Sequence, residues 1–127
     1  MTTATQTTVL LVDDDAHFRE TLADAMSLKD VRVESAGSVA DARRALAERL
    51  PSVILLDVQL PDLSGVALCR ELKRAPRTKG VPVVLLSAKY TEPADRAEGL
   101  LTGADAYLSK PINIDALQEE IRYLVDN

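Results

Sequence analysis

The sequence predicts an α/β protein with a doubly wound, five-stranded parallel sheet. Five short strand-like segments alternate with five segments that carry apolar residues at helical spacing, which gives the order βαβαβαβαβα. Residues 9–12, 53–56 and 83–86 are apolar at every position, as expected for parallel strands that helices cover on both faces. This alternation implies right-handed crossovers and an open sheet.

The remaining elements are predicted from weaker patterns and from capping residues. Val31 alternates with polar neighbours in an edge-like second strand, and residues 106–108 form a short fifth strand. Ser38 and Asn113 are N-caps of the second and fifth helices, the fourth helix starts at Thr91 or a neighbour, and Gly103 follows its end. The first, second, third and fifth helices each have an apolar stripe. In that order the stripes are Phe18, Leu22, Ala25, Met26; Val39, Ala42, Ala45, Leu46; Val66, Leu68, Cys69, Leu72; and Ile114, Leu117, Ile121, Leu124.

Length and composition limit the domain organisation and the function class. The 127 residues fit one domain, predicted over residues 9–127, after a flexible N-terminal extension at residues 1–8 that contains five threonines. The net charge of −5 predicts no direct binding of nucleic acid. No apolar run approaches the roughly 20 residues of a membrane helix, and the single cysteine, Cys69, indicates a reducing cytoplasm. The bases near the third helix, Lys73, Arg74, Arg77 and Lys79, are expected to form a solvated face.

Polar side chains collect at the predicted carboxyl ends of four strands. In an open parallel sheet this edge is where ligands bind. The residues concerned are Asp13, Asp14 and Asp15 after strand one, Asp57 after strand three, Ser87 after strand four and Lys110 after strand five. Asp15 is expected to lie at the N-terminus of the first helix, where an acid is favourable.

The chemistry of these residue types favours phosphoryl transfer. Asp13, Asp14 and Asp57 would repel one another by about a few kcal/mol unless a cation lies among them. Carboxylate oxygens suit Mg²⁺, whereas Zn²⁺ prefers histidine and cysteine ligands. Lys110 and the Ser87 hydroxyl can bind phosphoryl oxygens, and an aspartate can serve as the nucleophile.

The motifs and their spacing resemble a known family. They are Val12-Asp13-Asp14, Leu56-Asp57, Leu60-Pro61 with Gly65, Leu86-Ser87-Ala88, Gly103-Ala104-Asp105 and Tyr107-Leu108-Ser109-Lys110-Pro111. Together they resemble the receiver domain of bacterial two-component response regulators over about residues 9–125. The resemblance implies a flavodoxin-like (βα)5 fold with strand order 2-1-3-4-5.

The resemblance also implies a phosphoacceptor and a metal site. Asp57 would accept a phosphoryl group from a phosphohistidine on a sensor histidine kinase or a histidine phosphotransfer protein. Asp14 would bind Mg²⁺ directly, and Asp13 would bind it directly or through a water. Asp57 and the main-chain carbonyl of Gln59 would complete the protein ligands. Such a domain is a signalling module that assists only its own phosphorylation and dephosphorylation.

A switch follows from the same resemblance. Ser87, Ala88 and Lys110 would bind the phosphoryl group, and the Lys110-Pro111 peptide bond would be cis, which is uncommon. Tyr107 would turn inward as Ser87 moves toward the phosphate. The surface formed by helix four, strand five and helix five would then favour a downstream target or an attached output domain.

Two side chains beside the site lead to a further hypothesis. Gln59 lies two residues after the phosphoacceptor, and Lys89 lies two residues after Ser87. Both could control the access of water to the phosphoryl group. We therefore hypothesise that they set the lifetime of the phosphorylated state.

The sequence departs from the family in the region that many DNA-binding members use for a symmetric dimer. Those members carry a second acid after Gly-Ala-Asp and an arginine within helix five, where this chain has Ala106 and Glu120. This difference argues against that dimer. The chain is either a complete single-domain regulator or the receiver of a larger regulator or hybrid kinase, and in both cases its output is a surface offered to another molecule.

Three alternative functions are compared with this interpretation. An FMN domain would need a phosphate cradle where Asp13, Asp14 and Asp15 would repel the phosphate. A phosphohydrolase with an aspartate nucleophile usually has a second aspartate two residues later, where this chain has Gln59. A pseudo-receiver, a binding module independent of phosphorylation, has typically lost one of the acid, serine or lysine positions that are all present here.

Overall fold

The computed structural model describes residues 6–89 and 91–126, and within them five strands form one parallel sheet. The strands are β1 (Thr7–Val12), β2 (Val31–Ala36), β3 (Val53–Asp57), β4 (Val83–Ser87) and β5 (Ala106–Ser109). Their order in the sheet is β2-β1-β3-β4-β5. The predicted fold class and strand order are confirmed. The winding direction reverses between β1 and β3, and ligands of such sheets bind at this switch point.

Five helices follow the strands in turn. They are α1 (Ala16–Ser27), α2 (Val39–Glu48), α3 (Gly65–Arg74), α4 (Pro93–Leu101) and α5 (Ile114–Asp126). The predicted caps are confirmed, since Ser38 Oγ accepts from Asp41 N at 3.1 Å and Asn113 Oδ1 accepts from Ala116 N at 2.9 Å. Gly103 has φ 102°, in the region that glycine occupies easily. No helix among the described residues has both the length and the apolar character to cross a bilayer.

The central strands are buried on both faces. Every residue of β3 and β4 is buried, and their side chains alternate between two apolar layers. One layer contains Leu56 and Leu85 with side chains of α2 and α3, and the other contains Leu55 and Leu86 with side chains of α1 and α5. The continuous aliphatic runs are therefore parallel strands between helical layers, as predicted. Burial on both faces fixes the strand ends that carry the polar residues.

The first strand begins two residues earlier than the sequence predicts. Thr7 and Thr8 belong to β1, where they pair with Val31 and Arg32 of β2, and are not part of a flexible extension. Thr8 is also anchored to Ser52, because Ser52 N donates to its carbonyl at 2.8 Å and Thr8 N donates to Ser52 Oγ at 3.0 Å. These contacts are between distant segments, so the threonine-rich composition did not reveal them. Residues 1–5 lie outside the described residues.

The predicted solvated face near α3 is wrong for one of its four bases, Lys73. The Lys73 ammonium donates to Asp105 Oδ2 at 2.9 Å and to the Val81 carbonyl at 2.8 Å, and the side chain is only 14% exposed. Arg77 donates to the Leu46 carbonyl. Lys73 thus satisfies a carbonyl in the loop before β4, and Arg77 satisfies one in the last turns of α2. Arg74, Arg77 and Lys79 are exposed, as predicted.

Removal of the Lys73 ammonium is expected to destabilise the fold. Lys73→Met keeps the apolar part of the side chain but leaves Asp105 and the Val81 carbonyl without this donor. We expect the free energy of unfolding to fall by about 1–2 kcal/mol in urea denaturation. Arg74→Met, on the exposed side of the same helix, is the matched control and should change it by less than about 0.5 kcal/mol. Equal effects of the two variants would show that the Lys73 contacts contribute nothing specific.

Candidate functional site

The carboxyl ends of four adjacent strands bring the predicted polar residues together. Asp13 follows β1, Asp57 ends β3, Ser87 ends β4 and Lys110 follows β5. The register aligns these ends, since Asp57 is paired with Leu86 and Ser87 with Ser109. One carboxylate oxygen from each of Asp13, Asp14 and Asp57 lies within 4.8 Å of the others. The prediction that these acids share one pocket is confirmed in its geometry.

Asp13 and Asp14 present their carboxylates in different ways. Asp13 is completely buried, and its Oδ1 accepts from Asp15 N at 2.9 Å, so its orientation is fixed. Arg19 donates to the Asp13 carbonyl at 2.7 Å and holds the main chain. Asp14 is exposed. Asp15 caps α1 by accepting from Phe18 N at 3.2 Å, which confirms its predicted place at the helix N-terminus.

Lys110 extends its ammonium between the acids. Its Nζ lies 2.6 Å from Asp13 Oδ2 and 3.9 Å from Asp57 Oδ2. The same ammonium lies over the Phe18 ring, 4.3 Å from the centroid. The main chain is fixed as well, because Lys110 N donates to the Ser87 carbonyl at 2.8 Å. The Lys110-Pro111 bond is cis, as predicted. In this structure the lysine pairs chiefly with Asp13.

The pKa of Asp57 depends on its burial and on the charges around it in the pocket. Burial, followed by repulsion from Asp13 and to a smaller degree Asp14, raises the pKa of Asp57 to about 6. The charge of Lys110 and the Gln59 N–H, which donates to Asp57 Oδ1 at 3.4 Å, oppose this rise only in part. One ammonium therefore does not neutralise the three carboxylates. An oxygen-rich, negatively charged pocket of this kind fits a hard divalent cation such as Mg²⁺.

The loop between β3 and α3 is fixed from two sides. Gly65 N donates to the Val58 carbonyl at 2.8 Å, and a Cβ at Gly65 would lie 2.0 Å from the Asp57 carbonyl oxygen. Asp62 accepts from Val39 N at 2.9 Å and Ala40 N at 3.1 Å, at the start of α2. The N–H of Val39, more than that of Ala40, keeps the pKa of Asp62 below its usual range. These bonds set the position of Gln59, which lies within the loop.

Ser87 connects the pocket to Tyr107. Ser87 is buried, and its Oγ accepts from Lys89 N at 3.3 Å. The Tyr107 ring is buried against Gly99 of α4, where a Cβ would meet the ring at 2.7 Å. Burial raises the pKa of the Tyr107 hydroxyl, and a hydrogen bond with the Ser87 side chain opposes this rise. Tyr107 therefore points inward and contacts the residue at the end of β4.

The comparison with known sequences decides the family. The profile described as "Response regulator receiver domain" matches residues 9–122. The chain belongs to this family. It is thus a signalling domain of two-component response regulators, and its architecture is that of the receiver domain.

Individual relatives place the receiver domain among two-component proteins. It is 42% identical over 117 residues to the "Transcriptional regulatory protein GltR" of Pseudomonas aeruginosa, covering 92% of this chain and 48% of the relative. It is 39% identical over 106 residues to the "Phosphate regulon transcriptional regulatory protein PhoB" of the same organism, covering 84% of this chain and 46% of the relative. The chain thus spans about half the length of the curated relatives it matches.

Solved structures agree with the receiver fold. A putative response regulator from Chloroflexus aurantiacus is 28% identical, with a TM-score of 0.90 and coverage of 97% of this chain and 100% of that chain. The signal receiver domain of a signal transduction histidine kinase from Syntrophus aciditrophicus is 30% identical, with a TM-score of 0.86 and coverage of 94% and 90%. The receiver of a response regulator and the receiver of a histidine kinase therefore both share this backbone.

The structure brings most of the predicted site residues together at one edge of the sheet. It also shows two residues beside the site, Phe18 and Asp62, whose contacts were not predicted from the sequence. Ala88, Lys89 and the Gln59 side chain are exposed at the rim. Phe18 was predicted only as part of the apolar stripe of α1, and its contact with Lys110 depends on how α1 packs against the sheet. Asp62 has no local signal, because the N–H groups that it caps lie more than 20 residues earlier in the chain.

Proposed function

We propose that this receiver domain accepts a phosphoryl group on Asp57 from a phosphohistidine and thereby switches a protein-binding surface. The observation that carries the proposal is the convergence of three carboxylates within 4.8 Å beside the Lys110 ammonium. Phosphoryl transfer needs chiefly positioning and charge neutralisation, which this set of groups can provide. Asp57 is buried at the end of β3, which positions its carboxylate in the pocket.

The acidic pocket supplies ligands for Mg²⁺. The exposed Asp14 would bind the ion directly, Asp13 directly or through a water, and Asp57 and the main-chain carbonyl of Gln59 would complete the protein ligands. The raised pKa of Asp57 supports this assignment, because burial and then repulsion from Asp13 disfavour its charged form, and a cation bound here would favour it. When bound, Mg²⁺ neutralises negative charge on the carboxylates and on the transferred phosphoryl oxygens.

The transfer itself depends on Asp57 and Lys110. A carboxylate oxygen of Asp57 forms the bond to phosphorus as the phosphorus–nitrogen bond of the donor phosphohistidine breaks, and its electron pair returns to the imidazole. The Lys110 ammonium, now 2.6 Å from Asp13 Oδ2, can then turn toward a phosphoryl oxygen. The Ser87 hydroxyl and the main-chain N–H of Ala88 would bind the remaining oxygens. The donor would be a sensor histidine kinase or a phosphotransfer protein.

The signal would leave through the surface of α4, β5 and α5. A movement of Ser87 toward the phosphoryl group alters its hydrogen bond with Tyr107, which packs directly against Gly99 of α4. The same surface exposes Leu101 and Tyr123, which suit a protein partner. A population shift between two packings would then change the affinity for a target or an output domain. The names of the relatives favour a transcriptional output, although Glu120 departs from the arginine of the symmetric dimer.

Reaction with acetyl phosphate tests the proposal. In Mg²⁺, intact mass spectrometry should show the gain of one phosphoryl group, while EDTA or Asp57→Asn should abolish it. Asp126→Asn, in an exposed position at the end of α5, is the matched control and should react like the wild type. No mass gain would indicate a pseudo-receiver. Rapid, continuous release of phosphate with no accumulation of the phosphorylated protein would indicate a phosphohydrolase.

Gln59 and Lys89 are proposed to control the lifetime of the phosphorylated state. Both are exposed, and their main-chain N–H groups donate to Asp57 and Ser87 respectively, so their side chains begin beside the phosphoryl position. We expect Gln59→Ala and Lys89→Ala each to change the dephosphorylation rate by roughly 3-fold or more, equivalent to about 0.7 kcal/mol in the barrier. Loss of phosphate is followed by mass spectrometry after removal of acetyl phosphate. Unchanged rates in both variants would remove this hypothesis.

A further inference from the structure

The contact between Phe18 and Lys110 gives the pocket a component that carries no charge. Phe18 lies in the first turn of α1, directly after the acidic loop, and packs partly buried against the apolar layer that contains Leu22 and Leu117. Its ring is therefore held by the core. The Lys110 ammonium lies 4.3 Å from the ring centroid. This distance is within the range of a cation–π interaction.

Solvent contributes little to the stabilisation of the Lys110 ammonium. Its side chain is 17% exposed, and its ionic partners are Asp13 Oδ2 at 2.6 Å and Asp57 Oδ2 at 3.9 Å. A cation withdrawn from water needs compensation on each side that it presents to the protein. The carboxylates compensate one side, and the negative face of the Phe18 ring compensates another.

The uncharged nature of the ring matters for the movement of the lysine. A carboxylate at this position would bind the ammonium and compete with a phosphoryl group on Asp57. An aliphatic side chain would leave the cation desolvated without an attractive partner. The ring attracts the ammonium over its whole face, so the lysine can turn from Asp13 toward Asp57 without losing this contact.

We propose that Phe18 is a positioning residue for Lys110, whose ring keeps the ammonium inside the pocket while the lysine transfers from Asp13 to the phosphoryl group. The inference deepens the proposed function and rests on it for the last step. It adds an aromatic member to a site otherwise composed of acids, a hydroxyl and a lysine.

A double-mutant cycle with acetyl phosphate tests this role. Phe18→Leu keeps an apolar side chain of similar reach but removes the aromatic face, and Phe18→Tyr restores it. We expect Phe18→Leu to slow phosphorylation in Mg²⁺ by about 3-fold to 10-fold, and Phe18→Tyr to recover most of the rate. In the Lys110→Gln background the Phe18→Leu change should have no further effect, because the cation is already absent.

The same cycle is measured by urea unfolding without any phosphodonor. Phe18→Leu should change the unfolding equilibrium constant about 3-fold to 10-fold more in the wild-type background than in the Lys110→Gln background. This arm reports the contact even where phosphorylation of a Lys110 variant is too slow to follow. Failure of the wild type to gain phosphate would count against the proposed function and would leave this second arm to decide the contact.

Three results would overturn the inference. Phe18→Leu could react and unfold like the wild type. Its effects could be equal in the two backgrounds, which would show simple packing in the core. Phe18→Tyr could resemble Phe18→Leu, which would show that the aromatic face is not the property that matters.

Discussion

Gly65→Ala is expected to lower the free energy of unfolding by about 3 kcal/mol. A Cβ at Gly65 would lie 2.0 Å from the Asp57 carbonyl oxygen, 2.8 Å from the Asp57 carbonyl carbon and 3.0 Å from Val58 Cα. All three neighbours are main-chain atoms at the end of β3, where Asp57 lies, so no side chain can turn aside. The added methyl group must displace either α3 or the end of β3. The rate of phosphorylation should fall together with stability, because Asp57 moves with its own carbonyl.

Gly80→Ala is the matched control for this change. It lies in the loop between α3 and β4, and nothing surrounds its Cβ position within 4 Å. We expect a change in unfolding free energy of less than about 0.5 kcal/mol, measured by urea denaturation. A Gly65→Ala protein as stable and as reactive as the Gly80→Ala protein would show that α3 need not approach Asp57 so closely.

Asp57→Asn is expected to be more stable than the wild type at neutral pH in EDTA. Burial and the charge of Asp13 raise the pKa of Asp57 to about 6. The folded state therefore binds the proton of Asp57 more tightly than the unfolded state, whose carboxyl has a pKa near 3.9. The stabilisation from this proton is complete below about pH 4 and is lost as the pH rises through about 6.

The asparagine variant has no such ionisation and retains its stability as the pH rises. The difference in unfolding free energy should reach about 2–3 kcal/mol above pH 7, at roughly 1.4 kcal/mol per pKa unit, and should disappear near pH 4. Asp62→Asn is the control of opposite sign, because the N–H of Val39 keeps the pKa of Asp62 low. That variant should be less stable than the wild type at neutral pH. A constant Asp57→Asn difference from pH 4 to pH 8 would contradict the assigned charge balance.

Local patterns in the sequence were sufficient to predict the elements and the edge that bears the site. The aliphatic runs of β3 and β4 are buried at every position, as their composition indicates. Ser38 and Asn113 cap their helices through their own side chains, so a short window of sequence contains the whole interaction. The strand ends then follow from the topology, since parallel strands present their carboxyl ends at one edge.

Contacts between distant segments could not be predicted in this way. Thr8 joins β1 through Ser52, Lys73 turns inward to Asp105, and Asp62 caps a helix that lies earlier in the chain. Each residue type is common on a surface, and only the folded arrangement supplies its partner. The Phe18 ring is a similar case, because its apolar stripe was predicted but Lys110, whose ammonium lies over the ring, comes from the loop after β5.

The state of Lys110 shows another limit of sequence reasoning. The family resemblance assigns it to the phosphoryl group, whereas here it lies much closer to Asp13 than to Asp57. The sequence identifies the charged residues but does not show which carboxylate pairs with the Lys110 ammonium. That pairing depends on burial, which leaves Asp13 without solvent and makes the nearest ammonium its main compensation.

Identification of the phosphorylated residue tests the central claim most directly. The protein is treated with acetyl phosphate in Mg²⁺, and borohydride then reduces the acyl phosphate to homoserine, which tandem mass spectrometry locates in the sequence. We predict homoserine at position 57 and at no other aspartate, in an amount that matches the phosphoryl group gained. Homoserine at position 13 or 14, or a phosphoryl group retained on His17, would contradict the account of the site.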